Sequence, residues 1–247
     1  MTVRRKILKT AEKSTLAYSS IMTVLSAYRE ISGKTPRVIM YFKDLDVAYI
    51  AISKAGNSTI SKTFLRHYGL DKNLKSYHEI HIVKKKFRIN TKELKKKQCF
   101  KFAFVRNPFD RLVSCYQNKV VDEYYPLQKR YFGIIKRNQS FDDFVRGVCK
   151  IPDTLSDFHF RSQYSILYDR GEPLVNYVGK LENFEKDFEP IRKKYKLKVV
   201  KKVNVSKKRR DYKKYYTPEL AKMVYERYKQ DVEVFGYEKE YQKLLKG

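Results

Sequence analysis

The feature that most constrains this chain is an apolar run that breaks into a loop of small residues and restarts with helical spacing. It lies at Asp46–His67, DVAYIAISKAGNSTISKTFLRH. Val47, Tyr49, Ile50 and Ile52 are β-branched or aromatic and read as a buried strand. The run stops at Ser53-Lys54-Ala55-Gly56-Asn57-Ser58-Thr59, after which Ile60, Phe64 and Leu65 recur as one face of a helix. A strand, a loop with one lysine and a helix opened by hydroxyl side chains make an anion site. The first N–H groups of a helix have no intrahelical acceptor, its dipole is positive at that end, and Lys54 adds a full charge. The expected ligand is a phosphate-like group.

Length and charge bound what surrounds this loop. The 247 residues suit one α/β domain or at most two small ones, and 42% hydrophobic residues supply a core. Lys and Arg number 55 against 27 Asp and Glu, a net charge of +28 that attracts polyanions, anionic lipid or nucleotides but selects no fold. Cys99, Cys115 and Cys149 are odd in number and lack CxxC spacing. That argues against a disulfide framework or a cysteine zinc site, and for a reducing compartment. No run of about 18 apolar residues is present, and the N-terminal apolar stretches are too interrupted for a signal-peptide core.

Residues 3–32 carry apolar positions at roughly helical period before Gly33 and Pro36, which predicts an N-terminal helical arm over 1–36 and a domain over 37–247. Arg37–Lys43 reads as a strand, turned at Asp44 into the strand of the opening stretch as a hairpin. Cys99–Val105 is a further buried strand that ends at Arg106-Asn107-Pro108, where Asn107 can cap a helix and Pro108 suits its first position. That helix, to about Val121, has Phe109, Leu112, Val113 and Tyr116 on its apolar face and Arg111, Ser114 and Lys119 elsewhere. Ser140 opens a helix, 174–182 reads as a strand, Asn183 as the cap of a helix to about Tyr195, and Val199–Val203 as a short strand. Thr217-Pro218-Glu219 starts a final helix with Leu220, Val224, Tyr228 and Val232 on one face. Strands alternating with helices predict a parallel α/β sheet covered on both faces.

The opening loop is not a Walker A sequence, because Lys54 precedes Gly56 and Ser58 and Thr59 follow it. Phe102–Tyr116 repeats the strand, turn and helix, with Arg106 at the strand end and Ser114 on the helix. A guanidinium binds phosphate oxygens bidentately, so this is a good second phosphate site; the alternative is an ion pair between Arg106 and a core carboxylate. Two anion loops at adjacent strand ends predict a ligand with two separate phosphate groups.

On these residues the chain resembles the sulfotransferases that use 3′-phosphoadenosine 5′-phosphosulfate (PAPS). The likeness is to the carbohydrate sulfotransferases of the membrane-associated Golgi type and their bacterial relatives, sulfotransferase family 2. ISKAGNST resembles their 5′-phosphosulfate loop and FVRNPFDRLVSCY their 3′-phosphate motif. The likeness continues in His159-Phe160-Arg161-Ser162-Gln163, in Tyr177–Phe184 with Asp187, and in Asn204-x-Ser206, Tyr215-Tyr216 and Tyr228-x-x-Asp231-x-x-x-Phe235-Gly236-Tyr237. It runs in order from about residue 46 to 237.

This resemblance implies a P-loop-NTPase-like parallel sheet flanked by helices, the sulfotransferase fold, as a single domain behind the N-terminal arm. It implies in-line transfer of a sulfuryl group from PAPS to a hydroxyl of a glycan or glycolipid, without a metal. Lys54 and the loop Ala55, Gly56, Asn57, Ser58 and Thr59 would hold the phosphosulfate, Arg106 and Ser114 the 3′-phosphate, and Ser206 and Lys207 would lie near the nucleotide. The base is His81 or His159. His81 resembles, by its distance to Arg106, the catalytic histidine of uronyl 2-O-sulfotransferases and ranks first; His159 falls in the shared His-aromatic segment. His78-Glu79-Ile80-His81 is one residue short of H-E-x-x-H, so a zinc protease site is not expected.

Two departures stand out: Ser53 replaces the proline common before the loop lysine, and the membrane anchor and extra cysteines of animal relatives are missing. The second favours a cytoplasmic enzyme with at most peripheral contact to anionic membrane. Scattered basic runs, Lys207–Arg210 among them, do not form a nucleic-acid recognition module. Two other classes remain open at this point: a kinase or ATPase, which would need the Walker order and a metal carboxylate, and a non-catalytic polyanion or membrane binder drawn by the +28 charge.

Overall fold

The computed structural model describes Val24, Tyr28 and residues 36–70, 83–122, 131, 133–198 and 211–246. His81, Ser206, Lys207, the rest of the Lys207–Arg210 run and the expected strand Val199–Val203 lie outside the described residues. Of the expected arm, Val24 and Tyr28 are helical and exposed.

In chain order the elements are β1 (Ile39–Phe42), β2 (Val47–Ile50), α1 (Asn57–His67), β3 (Arg88–Ile89), α2 (Thr91–Lys95) and β4 (Phe100–Val105). Then come α3 (Pro108–Tyr116), which runs on as a π-helical turn over Gln117–Asp122, and α4 (Phe141–Lys150). They are followed by α5 (Gln163–Leu167), β5 (Tyr168–Asp169), β6 (Glu172–Pro173), β7 (Tyr177–Lys180) and α6 (Phe184–Lys194). The chain closes with α7 (Pro218–Arg227), α8 (Lys229–Val234) and α9 (Glu238–Leu245).

These elements sort into two compact units, each assembled from separate stretches of chain. The described residues of 36–107 and 163–211 form a sheet unit; those of 1–35, 108–162 and 212–247 form a helical unit.

The sheet unit holds five strands in the order β3-β1-β2-β4-β7. β2, β4 and β7 are parallel, with Ile50 opposite Ala103 and Val105 opposite Lys180. β1 runs antiparallel to both β2 and β3, so the expected Arg37–Lys43 hairpin is present and the α/β sheet is mixed rather than wholly parallel. The alternation of β4 puts Phe102 and Phe104 on one face, where they join Tyr49 from β2, Phe64 from α1 and Phe184 and Phe188 from α6 in one core. Ring pairs lock the layers together: Phe42 stacks on Phe64 at 4.5 Å, and Phe104 lies 5.2 Å from Phe184. β7 adds a glycine where a ring needs room. A Cβ on Gly179 would stand 2.5 Å from Cζ of Phe104.

The helical unit is capped much as the sequence predicts. Ser140 Oγ accepts from Asp143 N at 3.1 Å to open α4, and Thr217 Oγ1 accepts from Leu220 N at 3.2 Å to open α7. Leu220, Val224, Tyr228 and Val232 are buried, as expected of one apolar face. That stretch is three helices rather than one, because the chain turns at Tyr228 and again at Gly236, where φ is +66°. In the sheet unit, Asn183 precedes α6 but makes no side-chain cap; a 3-10 turn over Leu181–Asn183 leads into that helix instead. Cys99 and Cys115 are buried thiols and Cys149 a partly buried one.

Candidate active site

The opening loop leaves β2 at Ile50 and enters α1 at Asn57. Two residues take left-handed backbone there, Lys54 at φ +67° and Gly56 at φ +77°. Gly56 is needed twice over: its φ is one that side chains disfavour, and a Cβ would meet Leu181 Cδ1 at 3.1 Å. The turn is pinned by Ala55 N donating to Ile52 C=O at 3.4 Å, with the Ala55 methyl buried. α1 then starts with Ile60 N donating to Gly56 C=O at 3.1 Å, which places Asn57, Ser58 and Thr59 in its first turn, where a helix has no intrahelical acceptor for its N–H groups. Ser61 Oγ donates to Asn57 Oδ1 at 2.8 Å, fixing the Asn57 amide against the helix. Lys54 and Ser58 are half-buried, while Thr59 is 6% exposed.

The second loop follows β4 in the same unit. Arg106 is half-buried, and its Nη1 donates to Lys54 C=O at 3.1 Å, so the two loops predicted from the sequence are in direct contact. The Arg106 backbone is clamped by a fully buried amide: Arg106 N donates to Gln163 Oε1 at 2.9 Å, and Gln163 Nε2 donates to Arg106 C=O at 2.8 Å. Asn107 N donates to Glu182 Oε1 at 2.7 Å. That hydrogen bond makes Glu182 part of the scaffold of this loop. Gln163 was visible only as the end of the His-aromatic-x-x-Gln segment.

Residues 37–238 match the family model described as Sulfotransferase family. The chain belongs to the sulfotransferase family. It is also similar to carbohydrate sulfotransferase 11 of Rattus norvegicus and of Mus musculus, 34% identical in each case over 110 residues that cover 37% of this chain and 31% of the relative. The chain thus aligns with about a third of the length of the curated relatives it matches. No solved structure matches.

Other sulfotransferase-family candidates lie in the helical unit. Ser114 is half-buried on α3, and its hydroxyl has no hydrogen-bond partner among the described residues. His159 sits in a turn built around Asp157. The carboxylate, 2% exposed, accepts from His159 N at 3.0 Å and stands 2.5 Å from Nδ1. A carboxylate at Nδ1 selects the tautomer with the proton there, which leaves the lone pair on Nε2, the form a general base requires.

Much of the carbonyl row around this turn is held by buried donors. Arg111 gives Nη1 to Arg161 C=O at 2.8 Å and Nη2 to Phe158 C=O at 3.2 Å; Arg161 gives Nη2 to Ser156 C=O at 2.7 Å; Tyr228 Oη donates to Phe160 C=O. Arg111 corrects the sequence reading, which set it off the buried face of its helix. It is 2% exposed, because backbone carbonyls satisfy its donors in the interior. Among the described residues no three His, Cys, Asp or Glu side chains converge to hold a metal ion.

Proposed function

We propose that this protein transfers the sulfuryl group of PAPS to a hydroxyl of a saccharide acceptor. Family membership over residues 37–238 supports the reaction, and the likeness to two proteins named carbohydrate sulfotransferase supports the acceptor class. The observation that carries the site is the hydrogen bond from Arg106 to the Lys54 carbonyl, which joins two phosphate-type loops in one unit. ATP offers no 3′-phosphate to an arginine, and PAPS does, so the kinase reading is set aside.

In this reading the first-turn N–H groups of α1 and the Lys54 ammonium bind the phosphosulfate. They stabilise the charge that builds on the leaving phosphate as the sulfur–oxygen bond breaks. Arg106 and Ser114 take the 3′-phosphate. His159 accepts the proton of the acceptor hydroxyl at Nε2 while Asp157 holds Nδ1–H; His81 is the rival base. Ser206 and Lys207 border the nucleotide. The acceptor is a glycan or glycolipid, reached by a cytoplasmic enzyme with residues 1–36 as an arm beside a catalytic domain over 37–247.

Transfer of labelled sulfate from PAPS to a panel of glycans tests this. Lys54→Ala should abolish transfer and leave the thermal melt unchanged. His159→Ala should lower kcat at least about a hundredfold while 3′,5′-ADP binds as in wild type. Wild-type turnover by Lys54→Ala would refute the loop assignment, and wild-type turnover by His159→Ala would move the base to His81.

A further inference from the structure

We propose that Arg106 is a mechanical link between the two phosphate loops, set in place by Gln163, so that it shapes the Lys54 loop even for a nucleotide that gives it nothing to bind. This rests on the nucleotide reading above and adds a second role for Arg106 and a positioning role for Gln163.

The backbone supplies the first half of the argument. The β4–β7 ladder ends at the pair Val105 and Lys180, one residue short of Arg106. Beyond it, the Gln163 amide takes over with one bond to Arg106 N–H and one to its C=O, the two-point pairing a neighbouring strand would give. Glu182 fixes the next N–H, at Asn107. Three successive backbone groups are therefore held by side chains 57 and 75 residues away in sequence. Gln163 is 0% exposed, so water does not compete for these bonds.

The side chain supplies the second half. Arg106 leaves this fixed origin and donates to the carbonyl of Lys54, a residue in left-handed backbone that a non-glycine side chain disfavours. The same peptide plane carries the Ala55 N–H, bonded to Ile52 C=O. The Lys54–Ala55 peptide is thus held at both ends, and Arg106 supplies one of them. A guanidinium carries five N–H donors in a rigid plane, enough to serve a carbonyl and a phosphate at once. A 3′-phosphate on Arg106 would then steady the loop that binds the 5′ end.

Calorimetric titration with two nucleotides tests the link. 3′,5′-ADP has a phosphate for Arg106; 5′-AMP has none. Arg106→Met should weaken 3′,5′-ADP by about a hundredfold, and should also weaken 5′-AMP by about fivefold or more. Gln163→Met should weaken both nucleotides in the same direction. Gln163→Glu, which keeps the acceptor for Arg106 N–H and loses the donor to its C=O, should fall between Gln163→Met and wild type. Unchanged 5′-AMP affinity in Arg106→Met, within about twofold, would show that Arg106 is only a phosphate ligand and overturn the link. A Gln163→Met protein with a lower Tm and both affinities intact would overturn the positioning role. Wild-type protein that binds neither nucleotide would instead refute the nucleotide reading itself.

Discussion

Lys84 is buried among like charges. It is 8% exposed, and burial, with Arg88 and then Lys62 adding repulsion, pushes its ammonium down to about 8 from 10.5. A buried charge with no counter-ion among the described residues is costly. The folded pKa lies below the unfolded one, so the unfolded chain binds more protons between pH 8 and 10.5. Stability therefore falls as pH drops through that window, and the whole cost is present below it. Lys84→Met should raise Tm by about 5 °C at pH 7, and the gain should fade as pH rises to 10.5. Melts across that range check it; a gain independent of pH would point to packing alone.

Arg111 teaches a related lesson about what a sequence displays. A helical wheel sorts residues by polarity, so it put Arg111 outside the core. The partners that pay for its burial are carbonyls at Phe158 and Arg161, 47 and 50 residues downstream, and carbonyls leave no mark in a sequence.

At the level of elements, what was legible is what has period or punctuation. β2, β4 and α1 stood out because their apolar residues repeat at two or at three to four, and Ser140 and Thr217 because capping needs a hydroxyl at that place. Shorter elements escaped: β3, β5 and β6 have two residues each, too few for any period. The antiparallel course of β3 escaped for the same reason. β7 was legible as a strand, but the reason for its glycine was not, since that lies in the ring opposite. Gly179→Ala should cost about 2–3 kcal/mol in a urea titration, because Phe104 is held by Phe184 and Phe188 and cannot retreat. A loss under about 0.5 kcal/mol would show that the ring yields freely.

For the whole molecule, the dominant quantity is the net charge of +28. Exposed pairs such as Arg146 with Glu219 and Lys243 with Glu240 contribute little to stability. The cationic excess sets up instead a field that attracts anions, and on the proposed function we expect it to favour anionic acceptors. Raising NaCl from about 50 to about 500 mM should raise KM for a uronate-rich or sulfated glycan several-fold more than for a neutral one. Equal salt sensitivity for both would show that the field plays no part in acceptor capture. Both loops of the candidate site could be read along the chain because each is contiguous. Their contact, and the Gln163 clamp behind it, could not, because the fold brings together segments 52 and 57 residues apart.

The interleaving of the two units has a consequence for synthesis. A ribosome delivers β1 to β4 first, then all of 108–162, and only afterwards the strand that pairs with the outer edge of β4. Until residue 180 emerges, β4 presents an unpaired, phenylalanine-rich edge, the kind of surface that invites other chains. The helical unit waits longer still, for α7 to α9 at 218–245. No single cut releases either unit as one continuous piece. The nascent chain passes through most of its translation with both halves unfinished.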